Sequence, residues 1–191
     1  MYFFNSYQAT LKASGQDTDK KQTFYINNGQ SVTAKEAYNL LEGRSVSKEL
    51  MTRDGNKYQA WLQLDFESKD KNNNYEVQQY HERYGYDLEK TLKDYPIKEM
   101  DSAEKKSELL GSLQRGNSQI VTMQIDKQDI KYYIDANPRY KTINVRDQQF
   151  NPVKREDLVP KTQLPLKDKR KIGAIKEAKN AEKKESQSLK V

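Results

Sequence analysis

The sequence predicts an α+β fold, with a mainly antiparallel sheet, about three short helices and a basic, disordered C-terminal tail. Three observations predict it. Thr33-Ala34-Lys35-Glu36 has the form of a capping box and opens a helix. Apolar and polar residues alternate from Tyr58 to Phe66, the period of a half-buried strand. Beyond Pro152 the chain turns to Lys, Glu, Ala and Ser, with too few Leu, Ile and Val to offset the entropy of ordering. A compact domain is therefore expected over 1–152 and a flexible tail over 153–191.

Taken in order, Tyr2-Phe3-Phe4 with Tyr7 to Leu11, and then residues 22–27, read as two strands of a hairpin around a polar stretch containing Gly15. A helix follows from Ala34 to Glu42, with Ala34, Ala37, Tyr38 and Leu41 on one face, and Gly43 supplies the left-handed stop. Val46 and Leu50 begin a return, Asp54-Gly55 turns the chain, and Tyr58–Phe66 pairs with Tyr75–Tyr80. Tyr84, Leu88, Leu92 and Tyr95 recur at near-helical spacing, with Asp87 as a cap. Asp101-Ser102-Ala103-Glu104 offers a second capping pattern for a helix whose apolar face is Leu109, Leu110 and Leu113, closed by Gly116. Three further strands are marked by Ile120–Ile125, Ile130–Ile134 and Ile143–Val145, the first two separated by Asp126-Lys127-Gln128-Asp129. The order suggests two candidate pseudo-repeats, 20–80 and 101–146, each a capped helix, a glycine and a strand pair. Ordinary α+β ordering is the alternative.

Composition narrows the function classes. Of 34 Lys and Arg, residues 161–191 hold 10; of 28 Asp and Glu they hold 4. The rest has 34 less 10 and 28 less 4, or 24 of each sign, so the tail carries the whole net charge of +6. A basic arm on a neutral body suits nucleic acid, an acidic protein or an anionic surface, or simple solubility. The absence of Cys excludes disulfides, cysteine-ligated zinc and thiol nucleophiles. Neither a long apolar run nor a signal-like amino terminus is present, so a soluble cytoplasmic protein without membrane contact is expected.

No catalytic constellation is legible, and neither cofactor nor metal is expected. His81 is the single histidine; without a Gly-x-Ser-x-Gly elbow it reads as a surface or strand-end residue. Asp65 and Asp87 stand apart from the mixed Lys and Glu runs, but nothing pairs them as acid and base. A binding surface is the stronger reading. Arg44, Lys48 and Arg53 follow the first helix, and Trp61, Tyr80 and Tyr86 lie near polar positions, a combination suited to phosphates and stacked bases. The opposing possibility is that a helix covers Trp61 and water solvates the charges. Arg139, Lys141 and Arg146 form a second basic group, and Lys169, Arg170 and Lys171 a third, in the tail.

The residues Leu41-Glu42-Gly43-Arg44-Ser45-Val46, then Tyr58, Ala60-Trp61 and Leu64-Asp65-Phe66, then Tyr84-Gly85-Tyr86-Asp87-Leu88, and finally Ala136 to Val145 also carry a resemblance. Over about residues 20–150 the chain resembles an uncharacterised domain family encoded by conjugative and other mobile elements of Bacteroidota, often beside DNA-processing or antirestriction-like modules. The resemblance implies a setting, with no activity or catalytic residue to carry over. The expected function is thus a non-enzymatic accessory protein of a mobile element that binds nucleic acid. The alternative is a protein-interaction or anti-defence module that binds a host or element protein.

Overall fold

A computed structural model describes residues 5–12, 19–26 and 31–158. The chain divides into two units, Met1–Val153 and Lys154–Val191. In the first, β1 (Ser6–Leu11) pairs antiparallel with β2 (Lys20–Tyr25). Tyr2-Phe3-Phe4, expected in the first strand, lie outside the described residues.

The first helix, α1 (Ala34–Leu41), has the capping box its sequence announces. Thr33 Oγ1 accepts from the Glu36 amide at 3.3 Å, and the Glu36 carboxylate accepts from the Thr33 amide at 2.8 Å. Together these satisfy two amides that the first turn cannot pair internally. A three-stranded antiparallel meander follows, with β4 (Lys57–Lys69) between β3 (Val46–Met51) and β5 (Tyr75–His81). Strand alternation sends Leu62 and Leu64 of β4 into one core with Ala37, Leu40 and Leu41 of α1, Val46 and Phe24.

Of the residues at near-helical spacing, Leu88 and Leu92 fall in a helix and Tyr84 and Tyr95 lie outside it, because the stretch is divided. It forms a 3-10 turn, Glu82–Tyr84, stopped by Gly85 at φ 79°, and then the short α2 (Leu88–Lys93). Asp87 caps α2 as expected, its carboxylate accepting from the Lys90 amide at 3.0 Å. The second capping box is a correction. Ser102 occupies the cap of α3 (Ala103–Gln114), but its side chain makes no cap bond, because the chain enters the helix directly from another 3-10 turn, Lys98–Asp101.

A second antiparallel meander places β7 (Gln128–Asn137) between β6 (Gln119–Ile125) and β8 (Thr142–Arg146). Gln128 and Asp129, expected in a turn, belong to β7. The turn is Asp126-Lys127 alone, both residues at positive φ as a two-residue hairpin requires. Val121, Met123, Ile134, Ala136, Ile143 and Val145 form the buried side of this sheet.

Each half therefore runs helix, glycine and three-stranded meander, where a strand pair was expected. The helix ends match in detail. Gly43 N–H donates to Leu40 O and Arg44 N–H to Asn39 O, both at 2.9 Å; Gly116 N–H donates to Leu113 O at 2.9 Å and Asn117 N–H to Ser112 O at 3.2 Å. Both are Schellman motifs around a glycine at positive φ. The two caps also interlock. Asn39 Nδ2 donates to Arg115 O at 2.7 Å, and Arg44 donates to Gly116 O at 3.0 Å and Asn39 Oδ1 at 2.7 Å.

In the second unit the described element is one helical turn, α4 (Arg155–Leu158). The remainder of the sequence-read tail, including Lys169, Arg170 and Lys171, lies outside the described residues. Among the described residues no helix is long and apolar enough to cross a membrane.

Candidate functional site

The structure does not bring Arg44, Lys48, Arg53 and Trp61 together as one surface. In the β3–β4 register Lys48 pairs with Ala60 and Ser47 with Trp61, so Lys48 and Trp61 project from opposite faces of the sheet. Lys48 Nζ lies 3.0 Å from the Glu36 carboxylate and also donates to Ser31 O at 3.2 Å. Arg44 donates to carbonyl groups at the joined ends of α1 and α3, where a cation also meets the negative ends of two helix dipoles. Arg53 is exposed in the β3–β4 turn.

Trp61 is 8% exposed and meets Tyr86 edge-on, with ring centroids 5.4 Å apart. The Tyr86 hydroxyl donates to Thr142 O at 3.0 Å, and burial holds its phenol far above the ordinary range. The folded chain thus keeps that proton at a pH where the unfolded chain loses it, and stability is expected to fall as pH rises past about 10. Tyr86→Phe is expected to make the fall shallower, read from urea midpoints near neutrality and at about pH 10.5. An equally steep fall in the variant would contradict this assignment.

A different face collects the features that sequence reading had distributed among separate groups. The 3-10 turn Glu82–Tyr84 carries Arg83 and Tyr84; a third 3-10 turn, Pro138–Tyr140, carries Arg139 and Tyr140 and ends at Lys141 in the left-handed region, φ 53°. The Tyr84 hydroxyl donates to Arg139 O at 2.7 Å and ties the two turns together. Lys141 Nζ stands 4.6 Å from the Tyr84 ring centroid, Arg139 lies 5.7 Å from that of Tyr140, and Tyr80 packs beneath Tyr84 at 5.1 Å. Burial raises the Tyr80 phenol, an effect opposed by the charge of Arg139 nearby.

Arg83, Arg139 and Lys141 are exposed, Tyr84 is 39% exposed and Tyr140 69%. Among the described residues no carboxylate pairs with any of these three cations, whereas Lys48, Lys57, Lys93, Lys98, Lys106, Arg44 and Arg146 all have one. The second basic group is thereby split. Arg146 binds Asp135, which is 1% exposed, and it completes a polar ladder in which Asn144 Nδ2 donates to Asp135 at 2.6 Å. Only Arg139 and Lys141 of that group reach the face.

The exposed face can hold anions by charge and planar groups by stacking. Sequence reading missed Arg83, Tyr84 and Tyr140 as binding residues. A signal was present in the two Arg-Tyr dipeptides, Arg83-Tyr84 and Arg139-Tyr140, each beside a turn residue. His81 ends β5 and is exposed, as expected. Comparison with protein-family models, curated proteins and solved structures gives no match.

Proposed function

We propose that the folded body binds single-stranded nucleic acid through Arg83, Tyr84, Arg139, Tyr140 and Lys141, as a non-enzymatic accessory protein of a mobile element. The observation that carries this reading is the set of three exposed cations without carboxylate partners, interleaved with two exposed tyrosine rings. Cations contact phosphates whatever the sequence, and aromatic faces accept unstacked bases, which a duplex does not present. Lys169, Arg170 and Lys171 add further phosphate contacts. The mobile-element setting rests on the family resemblance.

The test is a fluorescence-anisotropy titration of the full chain with single- and double-stranded oligonucleotides at about 50 and about 200 mM salt. Binding of the single strand at low salt, weakened by added salt and persisting when Lys169, Arg170 and Lys171 are changed to Gln, is the expected result. No binding at low salt overturns the proposal.

A further inference from the structure

Beside this face lies an open cleft of about 570 Å³ whose lining includes Tyr58, Gln59, Gln79, His81, Arg83 and Tyr84. Tyr84 and Arg83 belong to both. We propose that this cleft receives one nucleobase of the bound strand; the inference rests on the nucleic-acid reading above and adds to it a site for the base itself.

The lining fits a flat heteroaromatic group. Tyr58 and His81 hold their rings 5.2 Å apart at 41°, and Tyr84 lines the same cleft, so a planar guest meets aromatic rings there. One amide then complements a base edge. Gln79 lies on the same sheet face as Tyr58 and His81 and its Oε1 accepts from the Tyr58 hydroxyl at 3.3 Å, leaving its NH₂ group as a donor to a base acceptor. Gln59 projects from the other face, where its Nε2 donates to Ser47 Oγ at 2.8 Å. Arg83, on the cleft wall and without a carboxylate partner among the described residues, is placed for the phosphate of the same nucleotide. The buried Trp61 is not needed.

The experiment compares a thymidine dodecamer with an abasic dodecamer of the same backbone charge, using the full chain at low salt. The thymidine strand is expected to bind about 10-fold more tightly, the worth of one stacked base. His81→Ala, at an exposed strand end, and Tyr58→Leu, which keeps the apolar contact, are each expected to remove most of that preference while leaving abasic binding unchanged. Their unfolding midpoints show whether each remains folded. Dodecamers of deoxyadenosine and deoxycytidine then report which base edge the Gln79 amide favours. Equal binding of thymidine and abasic strands overturns the base site and the stacking part of the reading above, leaving its phosphate contacts; a preference that survives both substitutions overturns the base site alone. Failure of both strands to bind overturns both readings together.

Discussion

Gly116→Ala is expected to destabilise the folded body by about 3 kcal/mol, and Gly43→Ala by only about 1 kcal/mol, although the two glycines occupy equivalent cap positions. Both lie in the left-handed region, φ 79° and 85°, so each alanine carries the strain of a Cβ in that conformation. Their surroundings separate them. A Cβ on Gly116 would come within 2.8 Å of Val46 Cγ2 and 2.9 Å of Ser45 O, and the second neighbour is backbone that cannot rotate away. A Cβ on Gly43 meets only the tip of the Phe66 ring, at 3.2 Å, and that side chain can shift. The larger cost therefore measures how closely the two helix caps approach. Urea unfolding of both variants checks it; equal losses would mean that the interlocked caps do not constrain the fold.

Replacing Arg83, Arg139 and Lys141 together with Gln is expected to abolish most salt-sensitive binding by the body without moving the unfolding midpoint. None of the three side chains has an ion-pair partner to lose among the described residues, and the Arg139 carbonyl that anchors Tyr84 is backbone. For single strands each lost phosphate contact lowers the slope of log K against log salt by about 0.7, so three give a decrease of about 2. An unchanged slope would place the electrostatic contacts elsewhere. A lowered midpoint would show instead that the cations are structural.

Local features of the fold were legible in the sequence because their causes are local. The Thr33 and Glu36 capping box, Gly43 as a helix stop and the two-residue period of β4 depend on neighbours within a turn or a strand. The failures share the opposite cause. Ser102 has the identity of a cap, yet the preceding turn decides that its side chain does not serve as one. Gly85 interrupts a helical spacing that the apolar residues alone would continue. Arg44 looks like a surface cation until α3 brings Gly116 O to it across 72 positions. The candidate face was fragmentary for the same reason: Tyr84 and Arg139 are 55 positions apart and meet only because the two 3-10 turns converge. Composition pointed to the tail, whereas the cations of the body became a candidate face only when the fold placed Arg83, Arg139 and Lys141 beside the Tyr84 and Tyr140 rings.

The most direct test of the account is photo-crosslinking of the full chain to a single strand containing 5-iodouracil, with the adducts located by mass spectrometry. Adducts on Tyr58, Tyr84 or Tyr140 are the predicted result. Adducts confined to residues 161–191, or to faces of the body away from the Glu82–Tyr84 and Pro138–Tyr140 turns, would contradict it.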